Sequence, residues 1–286
     1  MAITKVTSEV LENNVTIAGN LDVSSGTIKL DGNYPTGSFN VALGDIALQS
    51  GSLSGGSNTA IGRGSLYNNT SGANNTGIGR GSLDANTTAS DNTAVGMNSM
   101  FANTTGAENV AVGGLALDAN TTASGNSALG YASLTANTTG AANTAVGQSA
   151  LQANTTASNN TAIGKSALLT NTTGAQQVAV GGSAMEANTT GYNNTAVGWE
   201  SMKANTTGAL NVAVGQQSQL ATTTGDKNVS VGHNSAASNT TGDNNVAIGD
   251  NSLATATTVS DNVAVGRDAL QNTTGAGNTG IGGSAG

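Results

Sequence analysis

Apolar and polar positions along most of this chain follow one short unit that recurs every 17 residues. The unit opens with the pentapeptide Asn-(Thr/Val)-Ala-(Val/Ile)-Gly, whose glycine recurs without a slip from Gly62 to Gly266. A looser copy ends at Gly44 and a clipped copy ends at Gly282, which gives 15 glycine anchors and about 14 coils. A strict period this short is typical of a solenoid, in which each coil of backbone stacks on the next.

Each coil is predicted to hold two short strands and two turns, because 17 residues are too few for a strand together with a helix. In residues 143–159, Thr144–Val146 forms the first strand, and the Ser/Ala-Leu stretch that reaches Leu151 begins the second. Two glycine positions, one after the first strand and one in Asn-Thr-Thr-Gly, supply the positive φ that corners need. The sequence therefore predicts an all-β parallel β-solenoid over residues 40–286.

The strand pattern separates a bulky face from a nearly bare face. Thr144 and Val146 share the bulky face, whereas Ala145 and Gly147 share the other. The bare face suits the close approach of another backbone. Since each coil offers only about one Val/Ile and one Leu/Met for burial, a lone chain is expected to be marginally stable, and three chains are predicted to pack together.

Residues 1–39 do not carry the repeat and are predicted to form a separate attachment region. Gly32 to Gly37 form a loop by composition around Pro35, the single proline of the chain, and mark the boundary. Short strands are predicted upstream from three alternating apolar pairs, which are Val15 with Ile17, Leu21 with Val23, and Ile28 with Leu30.

Composition excludes several classes of protein. Aromatic residues are 2% and charged residues 8% of the chain, which is too little for an ordinary aromatic-rich core. The net charge is −8 with only 8 Lys and Arg, so no basic stripe exists for nucleic acid. The sequence has no run of about 18 apolar residues, so no membrane span is predicted. The first residues lack an apolar signal core, so synthesis in a cytoplasm without signal-directed export is expected.

Enzyme chemistry finds no support in the sequence. The chain has one histidine, His233, and no cysteine, so a nucleophile relay would rest on a single exposed-looking position. Carboxylates such as Asp84 and Asp118 sit at variable places and do not cluster at metal-ligand spacing. Gly164-Lys165-Ser166 lacks the upstream glycine of a phosphate loop. The protein is therefore predicted not to be an enzyme, with no catalytic, cofactor-binding or metal-binding residue and no cofactor.

Two asparagine columns and one threonine column recur in phase with the glycines. Asn143 and Asn154 represent the two asparagine columns, which are interpreted as stacked corner residues and not as sites. Their many Asn-x-Ser/Thr matches carry little weight as glycosylation signals without a signal peptide. The Thr-Thr pair, as in Thr155 and Thr156, is either a hydroxyl-capped turn or an outward threonine stripe that orders water. The corner position in the coil favours the turn.

Large rings are few and stand at or near variable positions. They are Phe101, Tyr131, Tyr192 and Trp199. Two interpretations stay open for them, namely outward contacts for a sugar or a partner, and filling of gaps.

Asn-Thr-Ala-Val-Gly and Asn-Val-Ala-Val-Gly units, separated by Ser-x-Leu and Asn-Thr-Thr-Gly, resemble the head repeats of trimeric autotransporter adhesins. They are most similar to the form found in bacteriophage tail-fibre and related virion proteins. The resemblance covers residues 40–286 and implies a homotrimeric left-handed parallel β-roll with one coil per repeat. The stretch Ile17 to Leu30 also resembles strand-and-turn modules of phage fibres.

Departures from the adhesin pattern favour the phage branch of this resemblance. The signal peptide, heptad stalk and membrane-barrel anchor expected of an autotransporter do not appear in the sequence. We therefore expect a virion structural protein, a tail or head fibre that acts as a rod-like spacer or adhesive surface for host attachment. Its expected partners are two more copies of the chain, other virion proteins through residues 1–39, and host cell-surface glycans, with no nucleic acid and no membrane insertion.

Two alternatives to the virion fibre remain. One is a threonine-stripe ice-binding protein, and the other is the subunit of a bacterial extracellular filament or adhesin. The sequence ends at Gly286 without an obvious cap, so we expect the exposed coil edge to dock on a partner, to join a second rod, or to mark a fragment.

Overall fold

The computed structural model describes residues 39–50 and 53–286. The described residues form a parallel β-solenoid with one strand per coil and contain no helix, so no helix among them is long or apolar enough to cross a membrane. The predicted fold class is thus confirmed. The strands predicted between Val15 and Leu30, and the loop at Pro35, lie outside the described residues.

All 15 strands belong to one sheet, are three residues long, and follow one another in chain order. Their bounds are β1 Val41–Leu43, β2 Thr59–Ile61, β3 Thr76–Ile78, β4 Thr93–Val95, β5 Val110–Val112, β6 Ser127–Leu129, β7 Thr144–Val146, β8 Thr161–Ile163, β9 Val178–Val180, β10 Thr195–Val197, β11 Val212–Val214, β12 Val229–Val231, β13 Val246–Ile248, β14 Val263–Val265 and β15 Thr279–Ile281.

The register of the sheet copies the sequence period. Ala145 pairs with Ala162, which stands 17 positions later in the chain. The looser first copy and the clipped last copy keep this pairing, since Ala42 pairs with Ala60 and Ala264 pairs with Gly280. One residue more or less is absorbed in the turns, so both irregular copies are genuine coils.

The prediction of a second strand in each coil, over the Ser/Ala-Leu stretch, is wrong. In its place Ser149 and Leu151 have φ angles of 57° and 51°, which belong to the left-handed region and end the extended backbone. Backbone hydrogen bonds between successive coils nevertheless continue through this turn, since Leu151 N donates to Ala167 O of the next coil at 3.0 Å. The left-handed conformation costs about 1–2 kcal/mol per residue. Full burial of the leucine side chain returns about 1.5–3 kcal/mol, which offsets that cost.

The assignment of the two strand faces is also reversed by the structure. Ala145, in the middle of β7, is fully buried and faces the interior of its own coil, as does Leu151 across from the strand. Thr144 and Val146 point outward and are only half-buried. The coil is so thin that its interior accepts only an alanine from the strand. The small-residue face therefore closes the chain upon itself, and the bulky face is the one left for neighbours.

The apolar interior is interrupted once, between the coils that begin at Asn211 and Asn228. One apolar cluster runs from Ala47 to Ala213, and a second runs from Ala236 to Leu270. Between them a buried glutamine, Gln219, replaces the leucine, and a buried serine, Ser230, replaces the strand alanine. The Gln219 Nε2 donates to Ser230 Oγ at 3.0 Å and to Val212 O at 3.0 Å. The two substitutions therefore satisfy each other in part.

The two glycine corners have different physical causes. Gly147 has a φ of 132°, and a Cβ placed on it would lie 2.6 Å from the carbonyl oxygen of Gly164 in the next coil. Positive φ and close approach both demand glycine there, as predicted. The positive φ predicted for the glycine of Asn-Thr-Thr-Gly is wrong, since Gly174 does not have it. Its glycine gives room to the Gly191 carbonyl and to Asn171 Oδ1, and fully packed alanines such as Ala157 also occupy this position.

The substitution Gly147→Ala is expected to lower the free energy of unfolding by about 3 kcal/mol, because the strained backbone costs roughly 1–3 kcal/mol and the clash with the Gly164 carbonyl adds to that cost. Denaturant unfolding followed by circular dichroism measures the loss. Gly125→Ala is the matched control: Gly125 also has positive φ, but Ala142 holds the equivalent position one coil on, and no atom comes closer than 4.0 Å to an added Cβ. Equal losses in the two variants would contradict the proposed role of coil contact.

Candidate functional site

The first asparagine column ties the start of most coils to their end and to the preceding coil, although the buried Nδ2 atoms of Asn126 and Asn160 have no partner among the described residues. Asn143 Nδ2 donates to Ala157 O at 2.9 Å, which closes the coil that begins at Asn143. Its backbone N donates to Asn126 Oδ1 at 3.0 Å in the preceding coil. Gln177 takes the same place with Gly191 O and Asn160 Oδ1 as partners. The amides are buried, so this column is structural.

The second asparagine column forms a continuous amide ladder inside the rod. Asn154 Nδ2 donates to Asn137 Oδ1 at 2.8 Å and to Ala157 O at 3.0 Å. The same bonds link each member to the next, so that buried amide stacks on buried amide over nine coils. The structural interpretation is confirmed, and the glycosylation sequences that contain these asparagines are inaccessible in the folded rod. The members are Asn69, Asn86, Asn103, Asn120, Asn137, Asn154, Asn171, Asn188 and Asn205.

The ladder stops at the coil where the apolar interior is also interrupted. Thr222 stands in the asparagine position, and its buried Oγ1 has no hydrogen-bond partner among the described residues. The buried Oδ1 of Asn205 and Oε1 of Gln219 likewise lack partners there. An unpaired buried polar group costs about 1–3 kcal/mol. These unpaired groups are therefore expected to lower the stability of the rod at this point.

The threonine pair combines both interpretations offered by the sequence. Thr155, the first member, is half-buried, and its Oγ1 donates to Thr172 O at 3.2 Å in the next coil. This confirms the hydroxyl-capped turn for the first threonine. Thr156, the second member, is exposed, and the same holds along the rod. The outward stripe is thus one threonine wide. Its members are Thr88, Thr105, Thr122, Thr139, Thr156, Thr173, Thr190, Thr207, Thr224, Thr241 and Thr258.

Titratable side chains stand alone or in small surface pairs. His233 Nδ1 lies 2.8 Å from Asp250 Oδ1, and both side chains are about half exposed. Lys203 Nζ lies 2.6 Å from Glu200 Oε1. This hydrogen bond lowers the pKa of Glu200 and raises the pKa of Lys203. Within residues 39–50 and 53–286, no three His, Cys, Asp or Glu side chains meet in a group that could hold a metal ion.

A mostly apolar groove lies beside the turns that carry the buried Met185 and Met202. It encloses about 510 Å³ over four successive coils, and alanines form its floor. Lys203 and Glu186 flank it, with 3.9 Å between Nζ and Oε2. The polar side chains that line it are Thr170, Glu186 and Lys203. Its lining residues are Thr170, Glu186, Ala187, Lys203, Ala204, Leu220 and Ala221.

The outward side of the sheet is the largest feature that the sequence interpretation missed. On each strand the first and third residues face out, and in all 15 strands these are Thr, Ser, Val, Ile or Leu, without one charge. Ten of the 18 exposed large hydrophobic side chains lie on this outer sheet face. The alternation of branched and small residues could have revealed it, had the narrow coil interior been considered. The ten are Leu43, Ile78, Val110, Leu129, Ile163, Val178, Val214, Val231, Ile248 and Ile281.

No family model, no curated protein and no solved structure matches the chain. The class that the fold defines is therefore the parallel β-solenoid repeat proteins, and any narrower assignment depends on the repeat residues themselves.

Thr222→Asn is expected to raise the free energy of unfolding by about 1 kcal/mol, because the new Nδ2 can donate to Asn205 Oδ1 and rejoin the amide ladder. Thermal and denaturant unfolding measure the gain. The control is Thr224→Asn, which places the same side chain at an exposed position two residues on. A gain in the control alone, or a loss in Thr222→Asn, would refute the ladder argument.

Burial raises the pKa of the carboxyl groups of Asp84 and Asp118. The folded state then holds these protons more tightly than the unfolded state, so stability falls as the pH rises from the ordinary Asp pKa through the raised value. The variant Asp84→Asn/Asp118→Asn is expected to lose less stability across that window in a pH series of unfolding curves. The exposed substitution Asp261→Asn serves as control, and a wild-type pH profile in the double variant would contradict the assignment.

Proposed function

We propose that this protein is a structural fibre of a bacteriophage virion, in which three copies of the rod pack through their outer sheet faces. The observation that carries the proposal is the uncharged outer sheet face. Monomeric soluble proteins rarely expose a contiguous apolar patch larger than a few hundred Å². Here the face follows 15 strands, and at a spacing of about 4.8 Å between strands it is about 67 Å long.

Charge is distributed in a way that fits this role. The chain has a net charge of −8, yet within residues 39–50 and 53–286 the charged side chains avoid every outward strand position and lie between the strands. Depletion of charge is the compositional mark of the buried core of an interface. β-Branched side chains with few rotamers also lose little entropy when a second surface covers them.

The number three and the virion come from the resemblance of the repeat to adhesin heads and phage fibres. Three identical rods around one axis form a closed ring of equivalent interfaces, so no outer sheet face is left exposed for the addition of further copies. In this arrangement residues 1–39 attach the fibre to the particle, and the turns of each coil face the host. Attachment is multivalent, because three chains repeat the same weak contacts along the rod.

The exposed threonine column favours ice binding as a second candidate. Its geometry is regular, but it is one residue wide, and the neighbouring hydroxyls are engaged with carbonyl groups. Thermal hysteresis of the purified protein at high concentration tests this candidate directly, and its absence removes it.

Ile163→Asp/Val214→Asp is expected to reduce the mass measured by light scattering from three chains to one, since covering a charge without a partner costs several kcal/mol. Both side chains lie on the outer sheet face and are about two-fifths exposed. The control Thr156→Asp/Thr207→Asp places the same charges on the exposed threonine column and should keep the trimer mass. A wild-type mass of one chain at micromolar concentration would sink the fibre trimer.

The virion assignment needs its own experiment. Antibodies against the purified rod should label particles of the phage that carries the gene in immunoelectron microscopy. Labelling should occur on thin projections, with particles that lack the gene as the control. Normal particles that carry no label would reject the assignment.

A further inference from the structure

The residue that follows each corner glycine forms an exposed column, which we call the corner column. Its members differ from coil to coil, whereas the interior positions hardly change. Two aromatic side chains lie in it, Tyr131 with 56% and Trp199 with 50% of its surface exposed. They are 68 residues apart, which is four repeats, so about 19 Å of rod separates them at roughly 4.8 Å per coil.

Each of the two rings leans over a glycine of the preceding coil. A Cβ placed on Gly182 would lie 3.3 Å from Trp199 Cδ1, and one placed on Gly114 would lie 3.5 Å from Tyr131 Cδ2. Gly114 and Gly182 are the two glycines that the corner column holds between the first and the last coil. When the repeats are compared with one another, each of these glycines stands one coil before an aromatic residue of the same column. The glycines therefore let the rings settle against the coil.

Filling of a gap does not account for these rings. A residue that fills a gap is buried by its surroundings, whereas half of each ring remains open to solvent. The backbone beneath them is rigid, because Tyr131 O accepts from Ser149 N and Trp199 O accepts from Gln217 N, both at 3.0 Å. Exposed rings on a rigid base supply contact area at little entropic cost.

Hydrogen-bonding groups lie between the rings in the same column. Gln148 and Lys165 are exposed, and within the described part of the chain their side chains make no hydrogen bond or ion pair. Beside Trp199, the Glu200 carboxylate is already held by Lys203 and by Gln217 Nε2 at 3.0 Å. We call the corner column from Tyr131 to Trp199 the ridge. Its free polar groups are thus one amide and one ammonium group.

We infer that the corner column from Tyr131 to Trp199 binds a neutral polysaccharide that lies along the rod. The C–H face of a pyranose ring packs on an aromatic ring, whose face is partly negative, while its hydroxyls bond to amide and ammonium groups. A linear polymer spans both rings, which a single sugar cannot do. The inference rests on the proposed attachment role, since it supplies the ligand for it.

Other occupants fit this ridge less well. Nucleic acid needs several cations along its path, and the ridge has only Lys165. A protein partner needs a contiguous apolar centre, whereas here the two rings stand apart with polar side chains between them. A regular, hydroxyl-rich chain without charge matches both the spacing and the chemistry.

Trp199 is the only tryptophan of the chain, so its fluorescence reports on the ridge directly. The full chain is titrated with mannan, dextran and hydroxyethyl cellulose, and migration is compared in native gels that contain each polymer. At least one polymer should shift the emission and retard the protein. The matching monosaccharide should bind at least tenfold more weakly, because it reaches one ring only.

Tyr131→Ala and Trp199→Ala are each expected to weaken retardation at least tenfold, and Trp199→Phe is expected to retain part of it. Phe101→Ala and Tyr192→Ala are the controls, since they remove exposed rings outside the corner column. Circular dichroism and the light-scattering mass verify that each variant is folded and assembled. Unchanged retardation in Tyr131→Ala/Trp199→Ala, or no retardation of the wild type by any of the three polymers, would overturn the inference. Either result leaves the trimer mass unaffected, so failure of the glycan ridge is separate from failure of the fibre.

Discussion

Contact between successive coils at hydrogen-bonding distance is the constraint on which this structure depends. Backbone groups of the strand, of the leucine turn and of the threonine corner all bond to the coil above or below. A solenoid coil has no other neighbour within its chain, so every residue type must permit this spacing around the whole perimeter. The corner glycine shows the consequence most directly, because an added methyl group at Gly147 would meet the next carbonyl at 2.6 Å.

The same spacing explains why the interior is rich in amides. A thin coil buries few apolar atoms, so side chains that bond to their own copies take over part of the cohesion. Asn154 satisfies its Nδ2 with one neighbouring asparagine and one carbonyl. Where Thr222 interrupts the ladder, the Oδ1 of Asn205 and the Oγ1 of Thr222 have no partner among the described residues. Asn239, one coil further on, bonds both ends of its amide to Gly242 instead.

The period, the fold class and the first strand could be predicted from the sequence, because they depend on residues that repeat at fixed spacing. The second strand could not, since the left-handed backbone at Leu151 is held by burial and not by any local preference of leucine. The faces of the strand were reversed for a related reason. Alternation places Ala145 and Val146 on opposite sides, but only the width of the coil decides which side is inside. The corner column was visible as a variable position, whereas its pairing of ring and glycine became apparent only when neighbouring coils were placed side by side.

Interchangeable coils also give the rod a discrete kind of adaptability. A deletion of one whole 17-residue unit between Tyr131 and Trp199 would return every buried amide and every corner glycine to an equivalent partner. The packing of the interior would stay the same, yet the two rings would move closer to each other by one coil. Recombination within the repeated gene can therefore change the distances between exposed side chains in fixed steps, without a new fold and without a new core.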